Sequence, residues 1–233
     1  MNARIHSHWL ARAMGSSTLT PALLVLLVGV TLWLLARSSA QADAAQFSLI
    51  LVTLGAVALG CAALAWIRPQ RAGLSPPHVM LSLGFGGMLL GLLYDLLQAG
   101  PAQLANLCTQ SARLGLLDSL RLHIEFLPGM HAGMLAGGLL AIPSLRLLRP
   151  DCGRYLCSLF TQNLLCSSWM LLGMTVGAVW LSRWQWIDGD STLAGMLGGM
   201  FVGMTWGMVA SVALYRAFFA WRNGARPAGH KAI

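Results

Sequence analysis

Residues 192–217 read TLAGMLGGMFVGMTWGMVASVALYRA, and Arg216 is the only charged residue among them. A run of about 20 apolar residues is long enough to cross the hydrocarbon core of a bilayer as a helix. Four Gly-Met pairs recur every fourth residue, at Gly195-Met196, Gly199-Met200, Gly203-Met204 and Gly207-Met208. On a helix this spacing forms a groove of glycines beside a ridge of thioethers. We therefore predict a transmembrane helix whose Gly-Met face either packs on another helix or binds soft metal ions.

The rest of the chain is equally apolar. Of its 233 residues, 57% are hydrophobic and 9% are charged, and the mean hydropathy is +0.68. Soluble domains carry about a quarter of their residues as charged side chains, so an ordinary soluble fold is excluded. Apolar runs predict spans at residues 19–36, 47–67, 79–99, 128–147, 157–182 and 192–217. The predicted fold is all-α, a polytopic integral membrane bundle of about six transmembrane helices.

We predict a single membrane domain with short flanking segments. It comprises a cytoplasmic N-terminal segment at 1–18, one bundle at 19–217 and a basic cytoplasmic tail at 218–233. The outer connection at about 100–127 has leucines at near-helical spacing, which predicts an amphipathic helix on the membrane surface. The first apolar segment imitates a signal peptide, but its length and the following Arg37 favour an uncleaved span.

Positive charge sets the predicted orientation. With both termini cytoplasmic, the inner segments hold all Lys and Arg residues except Arg37, Arg113, Arg121 and Arg183, which is 11 of 15. Positive residues accumulate on the cytoplasmic side, so this topology fits the inner membrane of a bacterium. The net charge of +8 is spread over several segments, with no soluble domain to present it. The predicted partner is therefore the lipid bilayer rather than nucleic acid.

Potential metal ligands are most concentrated where the fourth predicted span begins. They are His123, Glu125, Met130, His131 and Met134. If the approach to the span is extended, the side chains at 123 and 125 point to the same side. Residues 130, 131 and 134 share one surface of the helix that follows. Two thioethers and an imidazole suit Cu(I) better than Mg²⁺ or Ca²⁺, so we predict a Cu(I) site at the outer face and no other cofactor.

The Met ridge of the last span extends this hypothesis inward. Its candidate ligands are Met196, Met200, Met204 and Met208. Successive ligands along a helix would let a soft cation cross without being bare in lipid, which predicts transport or delivery. The alternative is a non-catalytic membrane subunit or assembly factor whose glycine faces pack against a partner protein or a second copy, with Met filling the gaps. No hydrolase, ATPase or metalloprotease motif occurs, so we do not expect an enzyme.

Overall fold

The computed structural model is helical in the part of the chain that it describes, apart from short connections. That part comprises residues 19–38, 44–67, 76–100, 103–104, 106–107, 110, 113–148, 156–187 and 193–224. Its seven helices with defined bounds are α1 Leu19–Ser38, α2 Ala44–Ile67, α3 Pro76–Ala99, α4 Leu116–Phe126, α5 Pro128–Leu148, α6 Leu156–Ile187 and α7 Leu193–Gly224. Each predicted span falls on one long helix, so the all-α class is confirmed. Helix α7 also continues through 218–224, which was predicted as tail, while residues 1–18 and 225–233 lie outside the described part.

Several helices are long and apolar enough to cross a membrane. Five stretches meet that description by themselves: Thr20–Arg37, Gln46–Ile67, Pro77–Ala99, Asn163–Arg183 and Leu193–Phe218. Helices α4 and α5 meet it as a pair, but the chain bends by 91° between them, as in a broken span or a re-entrant loop. These helices are those of a multi-pass membrane protein, since five are able to cross by length and composition, or six if the bent pair makes one span.

Helices α3 and α5 form an antiparallel pair joined through their glycines. A Cβ added to Gly87 would overlap the carbonyl oxygen of Gly133, and one added to Gly91 would overlap that of Gly129. One turn further along, a Cβ on Gly137 would overlap the carbonyl oxygen of Leu83. The two backbones are therefore in direct contact over several turns, as small residues allow in membrane proteins.

Helices α6 and α7 form a second antiparallel pair by the same device. A Cβ on Gly173 would overlap the carbonyl oxygen of Gly203, and one on Gly177 would overlap that of Gly199. Helix α2 then packs in parallel against α7, where Trp206 Nε1 donates a hydrogen bond of 3.2 Å to the carbonyl oxygen of Ala56. The glycine faces predicted from the sequence are thus occupied within the chain.

The α3–α5 helix pair and the α6–α7 helix pair pack against each other through aromatic and thioether side chains. The rings of Phe85 on α3 and Phe201 on α7 lie 4.8 Å apart between centroids. Methionines fill much of the remaining core, and those buried there are Met80, Met88, Met130, Met134, Met170, Met174, Met196, Met200, Met204 and Met208. We call the end of the bundle where α3 ends and α5 begins the Asp95 end. It corresponds to the side predicted as outer.

Helix α4 differs from the predicted amphipathic helix. Residues 104 and 107 are buried leucines, as expected, but Leu117 is 79% exposed and the buried positions of α4 are Ser119 and His123. The chain bends at Leu114 and Gly115, just before α4, so the leucine register of the preceding segment does not continue into it. The face of α4 turned into the protein is therefore polar.

Candidate functional site

A carboxylate from α3 fixes the start of α5 at the Asp95 end. Asp95 Oδ1 accepts a hydrogen bond of 2.9 Å from the backbone N–H of Gly129, and Oδ2 accepts one of 2.7 Å from that of Met130. These donors belong to the first turn of a helix, which has no partners of its own and attracts negative charge. A Cβ at Gly129 would lie 2.6 Å from Asp95 Oδ1, so glycine is needed for this approach. The first turn of α5 is thereby held against α3.

His131 lies in that first turn, and one of its ring nitrogens is hydrogen-bonded while the other has no partner among the described residues. Its ring is buried, and Nδ1 lies 2.9 Å from the carbonyl oxygen of Leu127. A carbonyl only accepts, so Nδ1 carries the proton in the neutral ring and Nε2 presents a lone pair. Nε2 has no hydrogen-bond partner among the described residues. A backbone carbonyl that fixes the tautomer in this way is the usual support of a metal-binding histidine.

His123 faces the same region from α4. Its side chain is 0% exposed, and neither Nδ1 nor Nε2 has a hydrogen-bond partner in the described part of the chain. Helix α4, which carries His123, packs against α5, which carries His131. Ser119, one turn earlier on the same face, is also buried, and its Oγ has no partner among the described residues. Buried polar atoms are normally hydrogen-bonded, so these atoms are the ones at this end of the bundle that would meet a bound ion or water.

Two thioethers accompany the histidines. Met130 and Met134 are both 0% exposed and stand one helical turn apart on either side of His131. Met130, His131 and Met134 are therefore all buried on the first turns of α5, and their grouping as metal ligands stays a prediction. We call His123, Met130, His131 and Met134 the His-Met cluster.

Glu125 does not belong to this cluster, and the predicted extended approach is wrong. Residues 116–126 are helical, so side chains two positions apart point to nearly opposite sides. His123 accordingly faces inward, while Glu125 is exposed. Among the described residues, no three His, Cys, Asp or Glu side chains are grouped so that they could hold a metal ion by themselves. A metal site here would depend on methionine.

The Met ridge of α7 lies in the core rather than at a surface. Met196, Met200, Met204 and Met208 are each 0% exposed. The methyl group of Met204 approaches Gly84 of α3, as does that of Met170 of α6, which the sequence analysis did not single out. The sequence pattern that could have pointed to Met170 is the spacing in α6, where Trp169-Met170 precedes Gly173-Met174 by one helical turn.

One hydrogen bond ties the start of α4 to the far end of α6. The Arg183 guanidinium donates through Nη2 to the carbonyl oxygen of Leu114, at 2.8 Å. Ser182, beside Arg183, is 1% exposed, and its Oγ has no partner within the described part. Helix α4 is thus tied to α6 at the Asp95 end, with Ser119 and His123 as its buried residues.

No protein-family model, curated protein or solved structure matches this chain.

Proposed function

We propose that this protein is a membrane metal-binding protein that takes up a soft transition metal, Cu(I), at the His-Met cluster and moves or delivers it. One observation carries the proposal. Nε2 of His131 and both ring nitrogens of His123 are buried without partners in the described chain, and Met130 and Met134, which flank His131 on α5, are buried as well. Imidazole and thioether are ligands that Cu(I) accepts in small number.

The charge of the cluster favours a monovalent ion. The nearby carboxylate of Asp95 already accepts two backbone hydrogen bonds, and Glu125 faces away. A divalent ion at this buried position would be neutralised poorly, and the cost of burying an ion rises steeply with its charge. Zn²⁺ usually takes four ligands from Cys, His and carboxylate side chains, which the described residues do not group here. Neutral, soft ligands such as imidazole and thioether suit Cu(I) better than they suit Zn²⁺.

The rest of the proposal concerns the topology of the protein in the membrane and the route of the metal ion. We propose six crossings with both termini in the cytoplasm of a bacterium, because 11 of the 15 Lys and Arg residues then lie inside. The cluster then lies at the outer side, and the buried Met ridge of α7 extends from that side into the core. Binding and delivery need no catalytic group.

The alternative of a subunit or assembly factor needs a different surface from the one predicted. The glycines that join α3 to α5 and α6 to α7 contact the backbone of the paired helix, so a partner helix has no access to them in this fold. A partner protein or second copy would instead contact the exposed faces, which in a bilayer also meet lipid.

The test is Cu(I) binding by the purified protein in detergent, in competition with a chromophoric Cu(I) chelator. The variant Met130→Leu, His131→Ala, Met134→Leu removes three ligands with little loss of volume at the two leucines. A matched control changes the same residue types at the opposite end of α3, as His78→Ala and Met80→Leu, both of which are buried. We expect copper binding in the wild type and the control and its loss in the triple variant. Absence of copper from the folded wild type would overturn the proposal.

A further inference from the structure

Two polar side chains of α6 converge on a glycine of α5 in the interior of the bundle. Asn163 Nδ2 donates a hydrogen bond of 3.0 Å to the carbonyl oxygen of Gly138. A Cβ added to Gly138 would lie 3.2 Å from Ser167 Oγ, so the hydroxyl group of Ser167 faces the same glycine. Asn163 and Ser167 stand one turn apart on α6 and are 2% and 5% exposed. Polar groups of two helices are thus brought together away from solvent.

These side chains keep hydrogen-bonding capacity that the described chain does not use. Asn163 Oδ1 and Ser167 Oγ are both buried without a partner among the described residues. The amide oxygen can only accept a hydrogen bond, whereas the hydroxyl group can donate one and accept others. Leaving such groups buried and unpaired costs free energy.

The hydroxyl group of Ser167 is also not bonded to its own helix. A serine or threonine within a helix can donate to the carbonyl oxygen four residues earlier, and the neighbouring Ser168 does so to Leu164 at 2.9 Å. The same bond is made by Thr31, Ser144, Thr175 and Thr205. Ser167 Oγ instead faces α5, where a bound molecule can join it to Asn163 Oδ1.

We infer that Gly138, Asn163 and Ser167 form a binding site for one buried water molecule, which we call the Asn163 site. Water donates to Asn163 Oδ1 and also bonds Ser167 Oγ, so that both polar atoms are satisfied. The chemistry of the site favours an uncharged molecule over an ion. The described carboxylates lie on α4 or at the Asp95 end, and burying an ion among neutral groups is costly.

The Asn163 site is separate from the His-Met cluster. Gly138 is seven residues beyond His131, which corresponds to about 10 Å along α5. The inference therefore does not depend on metal binding by the protein. It concerns the polar contact between the α3–α5 pair and the α6–α7 pair, which Asn163 makes directly and the water molecule would extend to Ser167.

A crystal structure of the full-length protein grown from lipid, at a resolution that shows ordered water, tests the site directly. We expect one density peak within about 3 Å of both Asn163 Oδ1 and Ser167 Oγ. Absence of that peak, or a Ser167 hydroxyl group that donates to its own helix, would overturn the inference. A peak with several oxygen contacts of about 2.4 Å would be a metal cation and would overturn it as well.

Substitutions at Gly138 test the site in detergent solution. Alanine places a methyl group beside Ser167 Oγ and brings no polar atom, whereas serine brings a hydroxyl group that can replace the water molecule. We expect Gly138→Ala to unfold at least about 3 °C below Gly138→Ser. At Gly55, where an added Cβ meets nothing within 4 Å, alanine should equal or exceed serine because it is the better helix former. The same order of alanine and serine at both positions would overturn the Asn163 site.

Discussion

Asp95 Oδ2 accepts a hydrogen bond of 2.7 Å from the backbone N–H of Met130, so the end of α3 holds the residue that begins the His-Met cluster. The same carboxylate accepts from Gly129 at 2.9 Å, and both contacts are enclosed by protein because Asp95 is 4% exposed. Burying an acidic residue in an apolar helix costs free energy unless its charge interacts with a partner. Here it neutralises the positive end of α5 and fixes that helix in rotation.

Replacing Asp95 with alanine should destabilise the protein by about 2 to 3 kcal/mol, because the partly buried N–H of Gly129 and the buried N–H of Met130 lose a charged acceptor. Denaturant unfolding in detergent measures the loss. The control Glu125→Gln changes an exposed carboxylate and should leave the free energy of unfolding within about 0.5 kcal/mol. Equal stability of Asp95→Ala and wild type would show that the hydrogen bonds accepted by Asp95 do not hold α5 to α3.

Gly133→Ala should separate α3 from α5 and lower stability clearly. The added methyl group would overlap the carbonyl oxygen of Gly87, and backbone cannot move aside as a flexible side chain can. Overpacking of this kind costs about 1 to 3 kcal/mol or more. At Gly55 an added Cβ meets nothing within 4 Å, so Gly55→Ala is the matched control. It should be neutral or stabilising by up to about 1 kcal/mol, since alanine favours helix. Similar unfolding temperatures for the two variants would contradict the packing seen here.

Arg183→Gln should loosen α4 without unfolding the bundle. The guanidinium of Arg183 donates to the Leu114 carbonyl, just before α4 begins, and glutamine is too short to replace a planar, charged donor at the same distance. We expect faster amide hydrogen exchange in α4, by roughly fivefold for a loss of about 1 kcal/mol. Arg121→Gln alters an exposed cation on α4 itself and should leave that exchange unchanged. Unaltered exchange in Arg183→Gln would mean that other contacts hold α4.

The long helices could be predicted from the sequence because apolar length is a local property. The six predicted spans coincide with α1, α2, α3, α5, α6 and α7. The glycine faces were equally visible, since a spacing of four residues on a helix needs no knowledge of the fold. The sequence did not predict which glycine faces would contact each other. That Gly133 contacts Gly87, and Gly203 contacts Gly173, depends on how the helices assemble.

The candidate site was predicted in part for the same reason. Met130, His131 and Met134 lie on one helix, so their grouping follows from local geometry. The relation of His123 to Glu125 depended on whether the chain before Pro128 is extended or helical, and it is helical. Asp95 comes from another helix. Its contact with the first turn of α5 could be recognised only once the helices were assembled.

Cu(I) should stabilise the folded protein selectively if it binds the His-Met cluster. A ligand that binds only the folded state adds about 2.7 kcal/mol at a free concentration of 100 times its Kd. The unfolding temperature in detergent should therefore rise with buffered Cu(I), and with Ag(I) as a soft, redox-inert substitute. Mg²⁺ at equal concentration should have no effect, because the buried ligands near His131 are imidazole and thioether. The Met130→Leu, His131→Ala, Met134→Leu variant should lose most of the stabilisation, whereas the His78→Ala, Met80→Leu control should retain it. An equal rise in the triple variant would place the bound ion elsewhere in the chain.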